Sequence, residues 1–398
     1  MKIRVLFTFF MIASSLAIPL ASHAAPESVR IGLASHFSEP SSSTSNPYGD
    51  YFRSAVKLAL RDAAPRLEKR GLKIELEEFD YGTTQVRVLD AAKKAAASNV
   101  IGVLGYNFSS HALLAGPIHQ QAKLPMLTPS ATADRIGRMG PYVHTACFDN
   151  AFMGQALARV AKTRLHASRA AVVVAADCAY CQDLSHAFET EFTQQGGIVS
   201  VRSEVLQGDT DFSASVVQLR SANFDVVLVP GQDALNSARI ISAVLNAGIH
   251  KPFLGGDGWG DVSDEFFSVL GNQGLEGYSV SHWHPEVENP KSRSFAREYF
   301  AKFGKRPNDT AVLAYDATLL LIEAILNART MTREGLEAAL AGMKTFTGVT
   351  GAFRFREGTA PAKSLVLLSV NNKHFKIIET IPPAAQDRRG QNKVRGND

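Results

Sequence analysis

Two cysteines, Cys178 and Cys181, enclose Ala179 and Tyr180 at the spacing used for thiol–disulfide exchange. They follow the apolar run Ala170–Ala175 and lack the Trp-Cys-x-x-Cys setting of thioredoxin-like proteins. In an oxidising compartment the two would pair as a structural disulfide that stiffens the loop around Tyr180; a redox pair and free or metal-linked thiols are the alternatives. Cys147 is left over, either buried and unpaired or linked to one of the others. His282-Trp283-His284 puts two imidazoles on one strand face, but no Cys or further His is close in sequence. A binding-loop or surface role is expected there, not a metal site. Phosphate loops, dinucleotide fingerprints, zinc-protease motifs and nucleophile elbows are all missing. The chain is therefore expected to be no enzyme and to need no cofactor.

The remaining polar chemistry suits a ligand. Gly105-Tyr-Asn-Phe-Ser-Ser-His and Thr128-Pro-Ser-Ala-Thr each follow an apolar run and set small hydroxyls and free backbone N–H groups beside a helix start, an arrangement for a carboxylate. Gly255-Gly-Asp-Gly-Trp-Gly carries one acidic side chain, Asp257, between glycines, where it can face an ammonium.

These loops need strands and helices to hold them. β-rich runs at Val29–Ala34, Lys73–Phe79, Val100–Leu104 and Pro125–Leu127 alternate with amphipathic stretches at Tyr51–Glu68, Gln85–Ala97 and His111–Gln121. After Ala146 the series restarts: helices at Ala151–Thr163, Gln182–Gln195, Asp211–Ala222 and Ala234–Ala247 alternate with strands at Ala170–Ala175, Ile198–Glu204, Val226–Val229 and Pro252–Leu254. Runs such as Ala170-Ala-Val-Val-Val-Ala-Ala are apolar throughout, as in parallel strands covered on both faces. The expected fold is α/β, with two doubly wound parallel-sheet lobes. Helices at Ser292–Phe303, Thr310–Ala328 and Arg333–Ala341 and strands at Gly351–Arg356, Leu365–Asn371 and Lys373–Thr380 complete them. Open parallel sheets bind ligands at the carboxyl ends of their strands, so a cleft between the lobes is expected.

The chain has 398 residues, 42 Lys+Arg and 38 Asp+Glu, a formal charge of +4. Lys2 and Arg4 open the chain, and Arg388, Arg389, Lys393 and Arg395 stand against Asp387 and Asp398 at its end. Each end contributes a net +2, which leaves the body near neutral and gives no reason to expect a nucleic-acid partner. The basic start, apolar Val5–Leu20 and small residues Ser22 and Ala24 read as a secretory signal cleaved near Ala24, and the basic tail 383–398 as disordered. No later run reaches the roughly 18–20 apolar residues of a membrane span.

The order and spacing of Val29–Ala34, Ser38–Leu60 with Pro47-Tyr-Gly, Val100–Ser110, Leu124–Thr132, Tyr180, Asp209-Thr-Asp-Phe-Ser, Asn223–Gly231 and Gly255–Asp261 resemble the type I periplasmic solute-binding proteins. The resemblance is to the leucine/isoleucine/valine-binding-protein-like receptors of ABC importers and runs from about Val29 to Ile381. It implies lobes of residues 25–147 with 284–348 and 148–283 with 349–382, joined by a three-stranded hinge near Cys147–Asn150, Gly277–His284 and Thr347–Gly351. It implies that Ser109, Ser130 and Thr132 hold the ligand's α-carboxylate and ammonium on the first lobe, beside the aromatic Tyr48. The second lobe would add Tyr180 and Asp257, the latter where relatives usually carry Glu. A family aromatic falls at Gln232 or Asp233, which points to a more polar ligand or a water-filled end. Phe108, Trp259 and Trp283 are further candidate contacts. The implied protein is a periplasmic, monomeric receptor that passes an amino acid or related carboxylate to an ABC permease. Rival readings are a sensor of an amide or an organic or aromatic acid, and an exported thiol redox protein.

Overall fold

The computed structural model describes residues 26–38, 47–82, 84–232, 234–260, 263–356, 358, 360–371 and 374–383. The expected signal segment, the tail beyond Pro383 and Asp233 lie outside the described residues.

The chain begins with β1 (Glu27–Ser35), α1 (Pro47–Lys69), β2 (Leu72–Asp80), α2 (Gln85–Ala97), β3 (Gly102–Gly105), α3 (Ser109–Gln121), β4 (Met126–Thr128) and β5 (Val143–Thr145). It crosses to a second lobe made of α4 (Asn150–Thr163), β6 (Arg169–Ala175), α5 (Ala179–Gln194), β7 (Ile198–Val205), α6 (Ser213–Arg220), β8 (Val226–Leu228), α7 (Ala234–Asn246), β9 (Phe253–Gly255), α8 (Ser263–Leu270) and β10 (Gly277–Ser281). It returns for α9 (Pro290–Phe303), α10 (Asp309–Asn327), α11 (Arg333–Gly342) and the hairpin β11 (Thr345–Gly348) and β12 (Gly351–Arg354). A last crossing adds β13 (Leu365–Asn371) and β14 (His374–Ile381) to the second lobe.

The first sheet has the order β2-β1-β3-β4-β5 and is parallel throughout. The second has the order β14-β13-β10-β9-β8-β6-β7, parallel from β10 to β7 and antiparallel where β13 and β14 join. In each lobe the first strand, β1 or β6, sits between its two successors, so the strand order reverses there and a crevice opens at the carboxyl ends. Helix starts follow the capping rules: Asn308 accepts from Ala311 N at 3.0 Å to begin α10, and Pro290 opens α9, which Gly304 closes at φ 67°.

One core joins residues from Val29 to Ala146 with residues from Trp283 to Phe353, and a separate core joins Phe148 to Val280 with Leu365 to Ile381. Val349 and Phe353 lie in the first core, because the β11–β12 hairpin folds its apolar face onto α10. The third passage therefore lies beyond Ala362, which is still bonded to Arg354 of the hairpin, at Lys363 and Ser364, and not at Thr347–Gly351. The second turns at His282, since Ser281 ends β10 and Trp283 is already in the first core. The short β5 and α8 gave no periodic signal in the sequence; three residues show no alternation, and α8 has only eight.

Gly105 ends β3 at φ 152°, and a Cβ built on it would stand 1.9 Å from Ala34 O of β1. Tyr106 follows at φ 56°, its N–H on Ala34 O at 3.0 Å and its hydroxyl 3.1 Å from His119 Nε2. The loop carrying Ser109 is thus set against the central strand by a residue without a side chain. Gly105→Ala should cost about 3 kcal/mol or more, from backbone strain and a clash that cannot relax, read as a lowered midpoint in urea unfolding.

Candidate functional site

The loops at the carboxyl ends of the two sheets converge on a cavity of about 60 Å³ between the lobes. Tyr48, Phe108, Ser109, Ser130 and Thr132 line it from the first lobe, Tyr180, Gln232 and Asp257 from the second. Each stands just past a strand end or in the first turn of the following helix, the position that the doubly wound topology reserves for ligand contacts.

α3 begins at Ser109 with no side-chain cap; Phe108 O accepts from His111 N at 3.0 Å and Ala112 N at 2.9 Å, so the helix start offers the N–H groups of Ser109 and Ser110, and Ser109 lines the cavity. Ser109 Oγ accepts from Ala133 N at 3.1 Å, which leaves its own proton to donate. Thr132 is 2% exposed and offers a second hydroxyl, while its carbonyl accepts from Asn150 N at 2.9 Å across the first passage. Ser130 differs: its hydroxyl donates to Asn107 O at 2.9 Å and ties the loop after β4 to the loop after β3. Tyr48 and Phe108 meet edge to face, ring centroids 5.8 Å apart, and close one end.

On the second lobe α5 starts at Ala179, three residues before the predicted Gln182, because Cys178 Sγ caps it by accepting from Cys181 N at 3.1 Å. Cys178 and Cys181 form a disulfide, and Cys147 is buried and free. Burial pushes the Cys147 thiol up to about 12, which makes it inert as a nucleophile at neutral pH. The bridge closes a loop of sequence separation 3, so Cys178→Ser should cost about 2 kcal/mol or less of stability. Calorimetry should find ligand affinity within a few-fold of wild type.

Tyr180 is buried with its hydroxyl packed on Gly256, where a Cβ would come within 2.0 Å of the oxygen. Burial and the neighbouring Asp257 raise the phenol well above its usual pKa, so it stays protonated. Asp257 opens a short 3-10 turn and accepts from His282 Nε2 at 2.9 Å. Burial holds the His282 imidazole below its ordinary pKa, so it is neutral at pH 7 and donates Nε2–H to the carboxylate. His282 is 1% exposed and stacks on Phe148 at 3.9 Å.

Trp259 and Trp283, candidate contacts from the sequence, do not line the cavity. Trp259 is fully buried under Gly255, its Nε1 donating to Val229 O at 3.0 Å. Trp283 packs on Phe295 and donates Nε1–H to Ser292 Oγ at 2.6 Å. Both are core residues whose large apolar bodies belong away from water. His282, Asn107, Gly258, Asp309, Thr310 and Leu313 also line the cavity and were not singled out as contacts from the sequence. Among the described residues no Lys or Arg lines it, whereas Asp257 and Asp309 bring one carboxylate from each lobe. No group of three potential metal ligands occurs among the described residues, and no helix there is long and apolar enough to cross a membrane.

A family model for periplasmic binding proteins matches residues 28–374. The Leu/Ile/Val-binding protein of Escherichia coli K12 is 23% identical over 80% of this chain and 84% of its own length. The crystal structure of a leucine-binding protein from Thermotoga maritima superposes with a TM-score of 0.80 at 28% identity, covering 89% of this chain and 99% of that one. A solute-binding protein of an ABC transporter from R. palustris, in complex with benzoate, superposes at 0.77 with 21% identity over 90% and 98% of the two chains. With a match over most of its length and both lobes in place, the chain belongs to the periplasmic binding protein family.

Proposed function

We propose that this protein is an exported receptor of the periplasm that closes its two lobes on an α-amino acid and presents the closed form to an ABC-type permease, without performing chemistry on the ligand. The observation that carries the ligand class is the charge of the cavity. Its lining combines hydroxyls and a helix start, suited to a carboxylate, with the acidic side chains Asp257 and Asp309 and no described cation. A zwitterion meets both halves, whereas an organic or aromatic acid without an ammonium would face carboxylates with nothing to offset them. Closure follows from the ligand's contacts with both lobes: it stabilises the closed arrangement by the interactions absent when the lobes part. The leucine-binding relatives support this class; the benzoate-bound relative represents the rival.

Native mass spectrometry of the purified protein, followed by a thermal-shift screen of L-amino acids, their desamino analogues and benzoate, tests it. The expected result is stabilisation by one or a few amino acids and none by their desamino forms. Stabilisation by benzoate or desamino acids alone would sink the amino-acid reading.

A further inference from the structure

The three passages between the lobes each narrow to one or two residues. Ala146 N is held on Thr128 O at 2.9 Å and α4 starts at Asn150, so Cys147 and Phe148 turn the first. His282 turns the second. In the third, Ala362 is pinned to Arg354 by reciprocal backbone bonds of 2.9 and 3.0 Å while Leu365 opens β13, so Lys363 and Ser364 make the turn. The turns touch one another: His282 stacks on Phe148, and Lys363 Nζ lies 6.0 Å from the centroid of Phe148 and 4.8 Å from that of Phe353. Phe148 belongs to the second core and Phe353 to the first. Lys363 is 0% exposed, and its Nζ has no hydrogen-bond partner among the described residues.

We propose that Lys363 is a positioning residue that opposes closure: its ammonium, sealed between aromatic rings of opposite lobes, keeps the empty receptor open until a ligand bridges the cavity. An ammonium stripped of water without a hydrogen bond costs several kcal/mol, and ring faces return only part of it. The charged and titratable groups facing it are Asp316 and Asp309 of α10, Cys147 of the first passage and His282 of the second. Asp316 is occupied elsewhere, accepting from Val349 N at 2.7 Å and Thr350 N at 2.8 Å, and Asp309 accepts from Ser281 Oγ at 2.6 Å. Burial outweighs these carboxylates and brings the lysine from 10.5 down to about 8. On this proposal, parting the lobes draws Phe148 of the second core from Phe353 of the first and lets water reach Nζ. A cation whose pKa is depressed in the closed form loses that penalty as pH rises from the closed value toward the hydrated one, so closure becomes easier above about pH 8.

The inference rests on the lobe closure proposed above, and its test needs no ligand. Small-angle scattering of the ligand-free protein is compared at about pH 7 and about pH 9 for wild type, Lys363→Met and Lys363→Arg. Wild type should be extended at the lower pH and shift toward the compact form at the higher, with up to about a tenfold change in the open-to-closed ratio. Lys363→Met should be compact at both, and Lys363→Arg, which keeps its charge, extended at both. A folded Lys363→Met as extended as wild type at both pH values would overturn the proposal. If that variant fails to fold, Lys363→Arg decides: compaction with pH like that of wild type would overturn it equally. A parallel wild-type sample with an equimolar mixture of L-amino acids separates the two readings. Wild type that stays extended with the mixture while Lys363→Met compacts would remove the amino-acid ligand and leave the role of the lysine supported.

Discussion

Ser109→Ala combined with Thr132→Ala should abolish measurable ligand binding while the far-ultraviolet circular dichroism stays that of a folded α/β protein. The two hydroxyls line one wall of the cavity beside the open start of α3, and each can donate to a carboxylate. A hydrogen bond to a charged acceptor contributes about 1.5–3 kcal/mol, so losing two corresponds to about 10²–10⁴-fold in affinity. The fold should survive because neither hydroxyl joins secondary elements, apart from the bond Ser109 Oγ accepts from Ala133 N. Its loss should lower stability by about 1 kcal/mol. Ser130→Ala serves as the contrast, since that hydroxyl is committed to Asn107 O and its removal should loosen both loops. Calorimetry on the double variant decides: affinity equal to wild type would take the carboxylate away from this wall.

The residues most legible in the sequence were those fixed by topology. Once β3, β4, β6, β8 and β9 are recognised as parallel strands, the residues just past their ends must face the crevice, and Ser109, Thr132, Tyr180, Gln232 and Asp257 do. What stayed hidden depends on how the lobes meet. His282 belongs to a His-Trp-His run that reads as a surface or binding loop, yet the second passage buries it and turns Nε2 onto Asp257. Asp309 and Thr310 sit in the first turn of a long apolar helix, where capping explains them fully from sequence, and only the return of α10 beside the first sheet brings them to the cavity. Trp259 and Trp283 lie outside the cavity lining: an aromatic within a glycine-rich loop, as Trp259 is, or between two histidines, as Trp283 is, suggests a contact, but each indole fills a core. Lys363 carries no sequence signal, because its burial arises where three separate passages converge.

Asp257→Asn should separate an amino-acid receptor from an organic-acid receptor most sharply. The carboxylate is largely buried, its side chain 15% exposed, and it is held by a neutral His282 that orients it without cancelling its charge. An ammonium brought against it in a cavity with no described cation would form a buried, hydrogen-bonded charge pair. Removing one partner of such a pair costs about 2–5 kcal/mol, which is about 30- to 5,000-fold in affinity. The amide keeps the volume and can still accept from His282, so packing changes little and the loss reports charge. Removing the negative charge also removes an interaction that raises the His282 pKa, so the imidazole remains neutral and adds no repulsion of its own at pH 7. For the desamino analogue the sign reverses: a ligand that is only an anion no longer meets a buried carboxylate, so its binding should hold or improve. Calorimetry with each amino acid and its desamino partner, on wild type and variant, gives the comparison as a ratio in which errors in folding cancel. Equal losses for both partners would show that Asp257 shapes the loop without meeting an ammonium.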